Sequence, residues 1–390
     1  MEIYLDNSAT TAVSDAAREK AEQALSSLWG NPSSLHTAGL RAEELVSEAR
    51  EHILSALGIA DRSSVGKSRL IFTGSGTEAD NLAVFGTARA KAQNRGGRII
   101  TTDSEHPAIL EPCKALEREG FDVVYISTKG GELDLDQLSA ALNDRTFLVS
   151  IMAVNNETGA AYNIADAFEA AHRFSKDIIT HTDAVQAFSH IPLSPDRIGA
   201  DMVTVSGHKI HGPKGIGALL VCPELLKAKK IVPIIYGGGQ EGGMRSGTEN
   251  VPGIAGFGAA AAGFSPEAVR VRYKRIAALR EYLLSKLPED VSVNKPSGKT
   301  APHILSLKLP SIKSETMLHF LSARNIYVSS GSACASHGKK ASHVLTAFGL
   351  SPKEADCTLR VSLDDSVTEE MLDIFASALE EGCRSLVKIN

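Results

Sequence analysis

The sequence predicts an α/β protein: a doubly wound, seven-stranded, mostly parallel sheet in a large domain, joined to a smaller α+β domain. Three observations carry this. Seven short apolar runs recur at 70–72, 98–101, 123–126, 147–154, 178–182, 202–206 and 216–221. Stretches with helical spacing lie between them at 77–93, 107–119, 134–142 and 164–176. That alternation is the pattern of βαβ units with helices on both faces of a sheet. The chain is also 390 residues long, which is long for one hydrophobic core. The last two runs are joined by a turn too short for a parallel crossover, so the seventh strand is expected to run antiparallel.

Taken in order, residues 1–17 form a short arm, with a strand at Tyr4–Leu5 and a polar turn cluster, DNSATT, at 6–11. Helical spacing follows at 14–28 and 38–57, separated by the turn-rich WGNPSSLH of 29–36. The sheet region comes next. Beyond it lies PIIYGGGQEGGMRSGTENVPG, 233–253, long and glycine-rich enough to have a functional shape of its own. A long, broken helix is expected over 252–287. Strands near 303–309, 326–329 and 358–363 and helices at 314–324, 341–348 and 368–384 complete the chain. The domains are therefore drawn as 18–258, large, and 1–17 with 259–390, small.

Composition excludes several function classes. Hydrophobic residues are 43% and charged residues 22%, with a net charge of -5. That is an ordinary globular composition. Without a basic block, direct nucleic-acid binding is not expected. No apolar run approaches the ~20 residues of a membrane span. The opening MEIYLDNSATT lacks the charged-then-apolar pattern of an export signal, so a cytoplasmic protein is expected. The five cysteines, Cys113, Cys222, Cys334, Cys357 and Cys383, are scattered, with no Cys-x-x-Cys. A disulfide framework and a structural metal are therefore not expected, and His208 and His211 have no third ligand nearby.

Ligands of doubly wound sheets bind beyond the carboxyl ends of the strands, and the candidate residues fall there. Lys209 lies in the tight turn after Met202–Ser206, next to His208, where desolvation and a cationic neighbour favour a nucleophilic amine. Gly74, Ser75, Gly76 and Thr77 precede a helix, and Ser75-x-x-Glu78 matches a capping box; such a turn offers N–H groups to a phosphate. His106 ends the second run and suits ring stacking or proton transfer. Asn155 follows the fourth run and can donate to a carboxylate or a ring oxygen. Asp183, with Gln186 three residues on, ends the fifth run in an apolar setting. A nearly buried carboxylate needs a partner, and a protonated heteroaromatic nitrogen provides one. Arg360, within an apolar strand, needs an anion such as a substrate carboxylate. Cys334 sits in a run of small residues, SSGSACASHGKK, with His337, Lys339 and Lys340 close enough in sequence to favour its thiolate. A phosphate cup, a stacking histidine, a carboxylate under a ring nitrogen, an imine-forming lysine and an arginine together meet the needs of pyridoxal phosphate and an amino acid.

The chain resembles the cysteine desulfurases of the NifS/IscS type, in the class V aminotransferase family of fold type I pyridoxal phosphate enzymes. The resemblance runs in order through LDNSATT, GNPSSLH, FTGSGTEADN, TTDSEHPAI, VNNETG, HTDAVQ, SGHKIHGPKG, GGGQEGGMRSGTEN and SSGSAC. It implies that Lys209 binds the cofactor and moves the α-proton, that Asp183 holds the ring-nitrogen proton, and that Gln186 contacts the ring hydroxyl. It implies His106 stacking on the ring, and Gly76, Thr77, Ser206 and His208 at the phosphate. Thr248 would reach the phosphate of a partner subunit in a homodimer. Asn155 and Arg360 would hold the carboxylate of L-cysteine, and Cys334 would accept its sulfur. The resemblance further implies a sulfur-acceptor protein, such as an iron–sulfur scaffold or a tRNA-thiolation enzyme. A selenocysteine lyase, or another class V aminotransferase or lyase, is the alternative. Two departures stand out: Asp364 and Asp365 replace the family's Gly-Arg after the arginine strand, and the closing EEGCRSLVKIN is shorter than the IscS tail. His337 is expected to help activate Cys334.

Overall fold

The computed structural model describes residues 1–59, 70–90, 96–330 and 342–389. Its central sheet has seven strands, in the order Leu70–Thr73, Gly217–Val221, Met202–Ser206, Ile179–Asp183, Thr146–Ser150, Arg98–Thr102 and Asp122–Ile126. The five strands from Asp122–Ile126 to Met202–Ser206 pair in parallel. Gly217–Val221 runs antiparallel between Met202–Ser206 and Leu70–Thr73. Helices cover both faces, so the inner strands are buried on both sides and read as continuous apolar runs. Successive residues still point to opposite faces. Ile99, Leu148 and Leu219 pack with the helices Gly76–Ala88 and Pro107–Arg118, whereas Ile100, Val149 and Leu220 join the core beneath Thr37–Ala56 and Val251–Ala262.

One apolar run outlasts its strand. The ladder of Thr146–Ser150 ends four residues before the expected 154. Ile151 and Ala153 stay buried, donating their N–H groups to the carbonyls of His181 and Asp183. The expected long helix is two, Val251–Ala262 and Pro266–Lys286, with Ser265 capping the second through the Ala268 N–H.

A second sheet orders Ser292–Val293, Ile304–Lys308, Thr358–Ser362 and Ser329–Ser330. Its own cluster joins Leu305, Leu307, Leu359 and Val361 to Phe375 and Leu379, and takes in Ile3 and Leu5 from the arm. The arm crosses from this sheet to the large one. Asp6 bridges to Ser362, and the Thr11 and Ser14 N–H groups donate to the carbonyls of His208 and His211. Residues 6–9 are thereby strung across the carboxyl ends of the parallel strands. Among the described residues, no helix is long and apolar enough to cross a membrane.

Candidate active site

A cavity of about 410 Å³ opens at those strand ends. Asp183 and Ser206 are the last residues of their strands, and Lys209 closes the short turn Gly207–Lys209. All three line the cavity with Gly76, Thr77, His106, Gln186, His208 and Arg360. The Lys209 Nζ donates to the carbonyls of Ser8, at 2.6 Å, and Ala9, at 2.8 Å. Gln186 Nε2 donates to the same Ser8 carbonyl at 3.0 Å.

At one end of the cavity lies the N-terminus of the helix Gly76–Ala88. Ser75 caps it by accepting from the Glu78 N–H at 3.1 Å. The expected capping box is only half formed, because the Glu78 carboxylate accepts from the Gly74 N–H and pairs with Arg245. A close approach leaves no room for side chains here: a Cβ on Gly217 would lie 2.5 Å from the Ser75 backbone. Free N–H groups at such a helix end attract an anion.

Charge is distributed to suit a cationic ring. Asp183 is 5% exposed, and its Oδ1 accepts from the Val185 N–H at 2.9 Å. Burial raises its pKa to about 6, with Lys209 pulling the other way. His106 Nδ1 accepts from the Ala108 N–H at 3.1 Å, which leaves the proton of the neutral ring on Nε2. Burial, then Lys209 and His343, lower the His106 pKa to about 4, so that ring is neutral near pH 7. Burial, then Lys209 and Lys214, do the same to His208, again to about 4.

The structure keeps Asn155 out of the cavity, and Thr248, expected at a partner subunit's phosphate, also lies away from it. Asn155 is fully buried, with its Nδ2 donating to the Ser104 carbonyl and its Oδ1 accepting from the Glu157 and Thr158 N–H groups. Its second Nδ2 hydrogen meets the Met152 sulfur at 3.5 Å, so in this structure Asn155 pins the turn and does not face the cavity. Its neighbour Asn156 lines the cavity instead, and the Asn156 Oδ1 is buried without a hydrogen bond among the described residues. Thr248 is exposed on the glycine-rich loop and lines a separate hollow with Gly74, Arg245 and Asn250. Cys334 and His337 lie outside the described residues, as do Lys339 and Lys340. The residues flanking that segment are both at the cavity. Ser330 lines it, and Ser342 donates to Oε2 of Glu157, another lining residue, at 2.6 Å.

Three carboxyl groups here are missed by sequence reasoning. Asp6 is the anion that Arg360 meets in this structure, Nη2 to Oδ1 at 2.8 Å, while Arg360 Nη1 donates to the Asn156 carbonyl at 3.0 Å. Asp80, one turn into the helix, lines the cavity 1% exposed; burial and then Asp183 push its pKa well up. Burial raises Glu157 to about 7. The LDNSATT, TEADN and VNNETG motifs contain all three positions, but no spacing rule assigns them a partner. Asp364 and Asp365 are accounted for outside the cavity: Asp365 contacts Arg272 at 2.6 Å, and Asp364 accepts from the Ser366 N–H at 2.9 Å.

A family model described as aminotransferase class-V matches residues 3–375. The chain belongs to the class V aminotransferase family. It is 41% identical over 383 residues to a cysteine desulfurase of Trichormus azollae, a match spanning 97% of this chain and 92% of that one. Among solved structures, a NifS-like protein superposes with a TM-score of 0.89 at 36% identity, covering 99% of this chain and 100% of its own. SspA in complex with cysteine superposes at 0.79 with 35% identity, covering 93% and 99% respectively. Within the class V family the chain stands with the cysteine desulfurases, and it is an enzyme dependent on pyridoxal phosphate. The residues present fit that group. A helix N-terminus with Thr77, Ser206 and His208 suits the phosphate, a buried carboxylate at Asp183 suits the ring nitrogen, and Lys209 borders the same cavity.

Proposed function

We infer that this cysteine desulfurase removes sulfur from L-cysteine, leaving L-alanine and a persulfide on Cys334. The observation that carries the reading is the single cavity shared by Lys209, Asp183, His106 and Arg360, with Ser330 and the Ser342–Glu157 contact at the two ends of the Cys334 segment. Bound pyridoxal phosphate supplies an electron sink for the bond electrons released at the substrate Cα. Asp183 keeps that sink cationic, its carboxylate gaining the positive partner that burial demands. Gln186 would meet the ring hydroxyl, and His106 would lie against the ring with Nε2–H available for proton transfer. Gly76, Thr77, Ser206 and His208 would hold the phosphate.

Lys209 anchors the cofactor and, once released, carries the α-proton on Nζ. Arg360 and Asn156, in place of Asn155, hold the substrate carboxylate. The Cys334 thiolate attacks the substrate sulfur. The carbon–sulfur bond breaks with its electron pair left on Cβ, a proton is added there to give alanine, and the sulfur remains on Cys334. We further propose that the cavity lies between a large domain, 18–258, and a small one, 1–17 with 259–390. In a cytoplasmic homodimer Thr248 would reach the partner's phosphate, and the persulfide would pass to an iron–sulfur scaffold or a tRNA-thiolation enzyme.

The test is to incubate the holoenzyme with L-cysteine and a reducing thiol. Alanine and sulfide should appear in equal amounts, and a peptide containing Cys334 should gain one sulfur atom. Cys334→Ser should keep the visible absorbance of bound cofactor and lose alanine formation. Wild-type rates in that variant, or a sulfur adduct on another cysteine, would overturn the assignment.

A further inference from the structure

Behind the turn that carries Lys209 lies a buried polar chain with no part in the reaction described above. His190 Nε2 is 3.0 Å from the Lys209 carbonyl oxygen, and His190 Nδ1 is 3.3 Å from Arg272 Nη1. A carbonyl only accepts and a guanidinium only donates. Both ends therefore require one arrangement of the imidazole: the proton on Nε2 and the lone pair on Nδ1. Arg272 Nη1 also donates to the Ser189 carbonyl at 2.8 Å, holding a non-glycine residue at a φ of 62°. Arg272 forms an ion pair with Asp365, whose Oδ2 lies 2.6 Å from its Nε without making a hydrogen bond to it, and the Asp365 carbonyl accepts from Arg275 at 2.8 Å. The His303 ring lies parallel to that of His190, with centroids 4.3 Å apart and planes 15° apart. His190, His303 and the Arg272 side chain are each less than one-tenth exposed.

We propose that Asp365, Arg272 and His190 form a positioning relay that fixes the main chain of Lys209, and with it the reach of Nζ into the cavity. The relay joins two parts of the chain that meet at the active site. Asp365 follows the strand Thr358–Ser362, which carries Arg360, and His190 grips the turn that carries Lys209. Asp365 therefore has a use in this chain: its charge holds in place an arginine that sets a tautomer. Placement matters because a shift of about 1 Å at a reacting group can lower a rate about a hundredfold. This proposal rests on the assignment of Lys209 made above, so its test needs a readout besides turnover.

The readout is the pH titration of the visible absorbance of bound pyridoxal phosphate, which follows the amine of Lys209. The groups facing His190 are His303, Arg272, Lys209 and His211. Burial first, then His303 and Arg272, hold the His190 pKa well below its ordinary value, so its ring stays neutral through the titration. His190→Phe keeps the ring against His303 and removes both nitrogens. We expect its titration midpoint to move by about half a pH unit and its kcat to fall about fivefold with KM for cysteine unchanged, as for one lost hydrogen bond. His190→Gln, whose amide N–H reaches the position of Nε2, should restore both. Arg272→Met should reproduce the His190→Phe shift, and the double variant should be no worse than either, since both break one path. A His190→Phe midpoint equal to wild type, a His190→Gln as impaired as His190→Phe, or additive losses would overturn the relay. If His190→Phe does not accumulate as holoenzyme, Arg272→Met decides alone, and an unchanged midpoint there overturns it. Wild-type alanine formation by Cys334→Ser would instead count against the assigned reaction and leave this spectral test standing.

Discussion

Asp6→Asn should make the protein less stable and its substrate binding tighter. Asp6 and Arg360 are paired at 2.8 Å, with side chains 19% and 9% exposed. Arg360 also gives Nη1 to the Asn156 carbonyl, and its buried Nε has no hydrogen bond among the described residues. A cysteine carboxylate arriving at this guanidinium must compete with Asp6 for Nη2. Asparagine keeps an acceptor oxygen but removes the charge. The loss should be about 1.5 kcal/mol, the low end for a charge-assisted hydrogen bond. A chain of 390 residues unfolds with an entropy of about 0.8 kcal/mol per kelvin, so the Tm should fall by about 2 °C. The same energy is no longer spent when substrate displaces the side chain, so KM for cysteine should fall by up to about tenfold. Scanning calorimetry and initial rates against cysteine concentration read the two effects separately. A lower Tm with an unchanged or higher KM would show that substrate does not compete for Nη2, and would remove Arg360 from carboxylate binding.

Glu157→Gln should stabilise the protein as pH rises. Burial lifts the folded-state pKa of Glu157 to about 7, against pull-back from Ser342 and Arg360. The folded chain therefore keeps a proton that the unfolded chain loses near pH 4.5, and this carboxyl's contribution is lost as pH climbs through 7. Glutamine has no proton to lose, so thermal scans should match wild type near pH 4.5 and gain about 3 kcal/mol, or about 4 °C, by pH 7.5; equal gains at both pH values would refute this. Glu241→Ala breaks a buried two-point pair with Arg50, whose side chains are 4% and 8% exposed. It should cost about 3–5 kcal/mol, seen as a Tm about 5 °C lower. Asp183→Asn should retain cofactor but lower alanine formation about a hundredfold or more; a near-wild-type rate would take Asp183 out of its role under the ring.

The fold was legible because each inner strand is buried on both faces, which writes the sheet into the chain as apolar runs with helices between them. The runs mislead only where burial and pairing part company. Ile151–Val154 is as buried as the strand before it, yet the ladder stops at Ser150. The same logic reaches part of the site. Lys209, Asp183 and His106 follow strands, and strand ends of this architecture face ligands. Asn155 and Asn156 mark where that logic stops. Both follow the same run, and which of them faces the cavity depends on the local turn. Asn155 is consumed by hydrogen bonds to Glu157 and Thr158, so its neighbour is turned inward. Asp6 lies further beyond reach, because its partner Arg360 is 354 positions away. Nothing local in LDNSATT distinguishes a turn aspartate from a counter-ion. The Asp365–Arg272–His190 contacts belong to the same class, spanning three separate stretches of chain. What sequence reading misses at this site is thus mainly the meeting of charged groups from stretches far apart in the chain. That pairing sets how tightly Arg360 and Lys209 are held before substrate arrives, so the variants that probe it test the catalytic geometry more directly than removal of Lys209 itself.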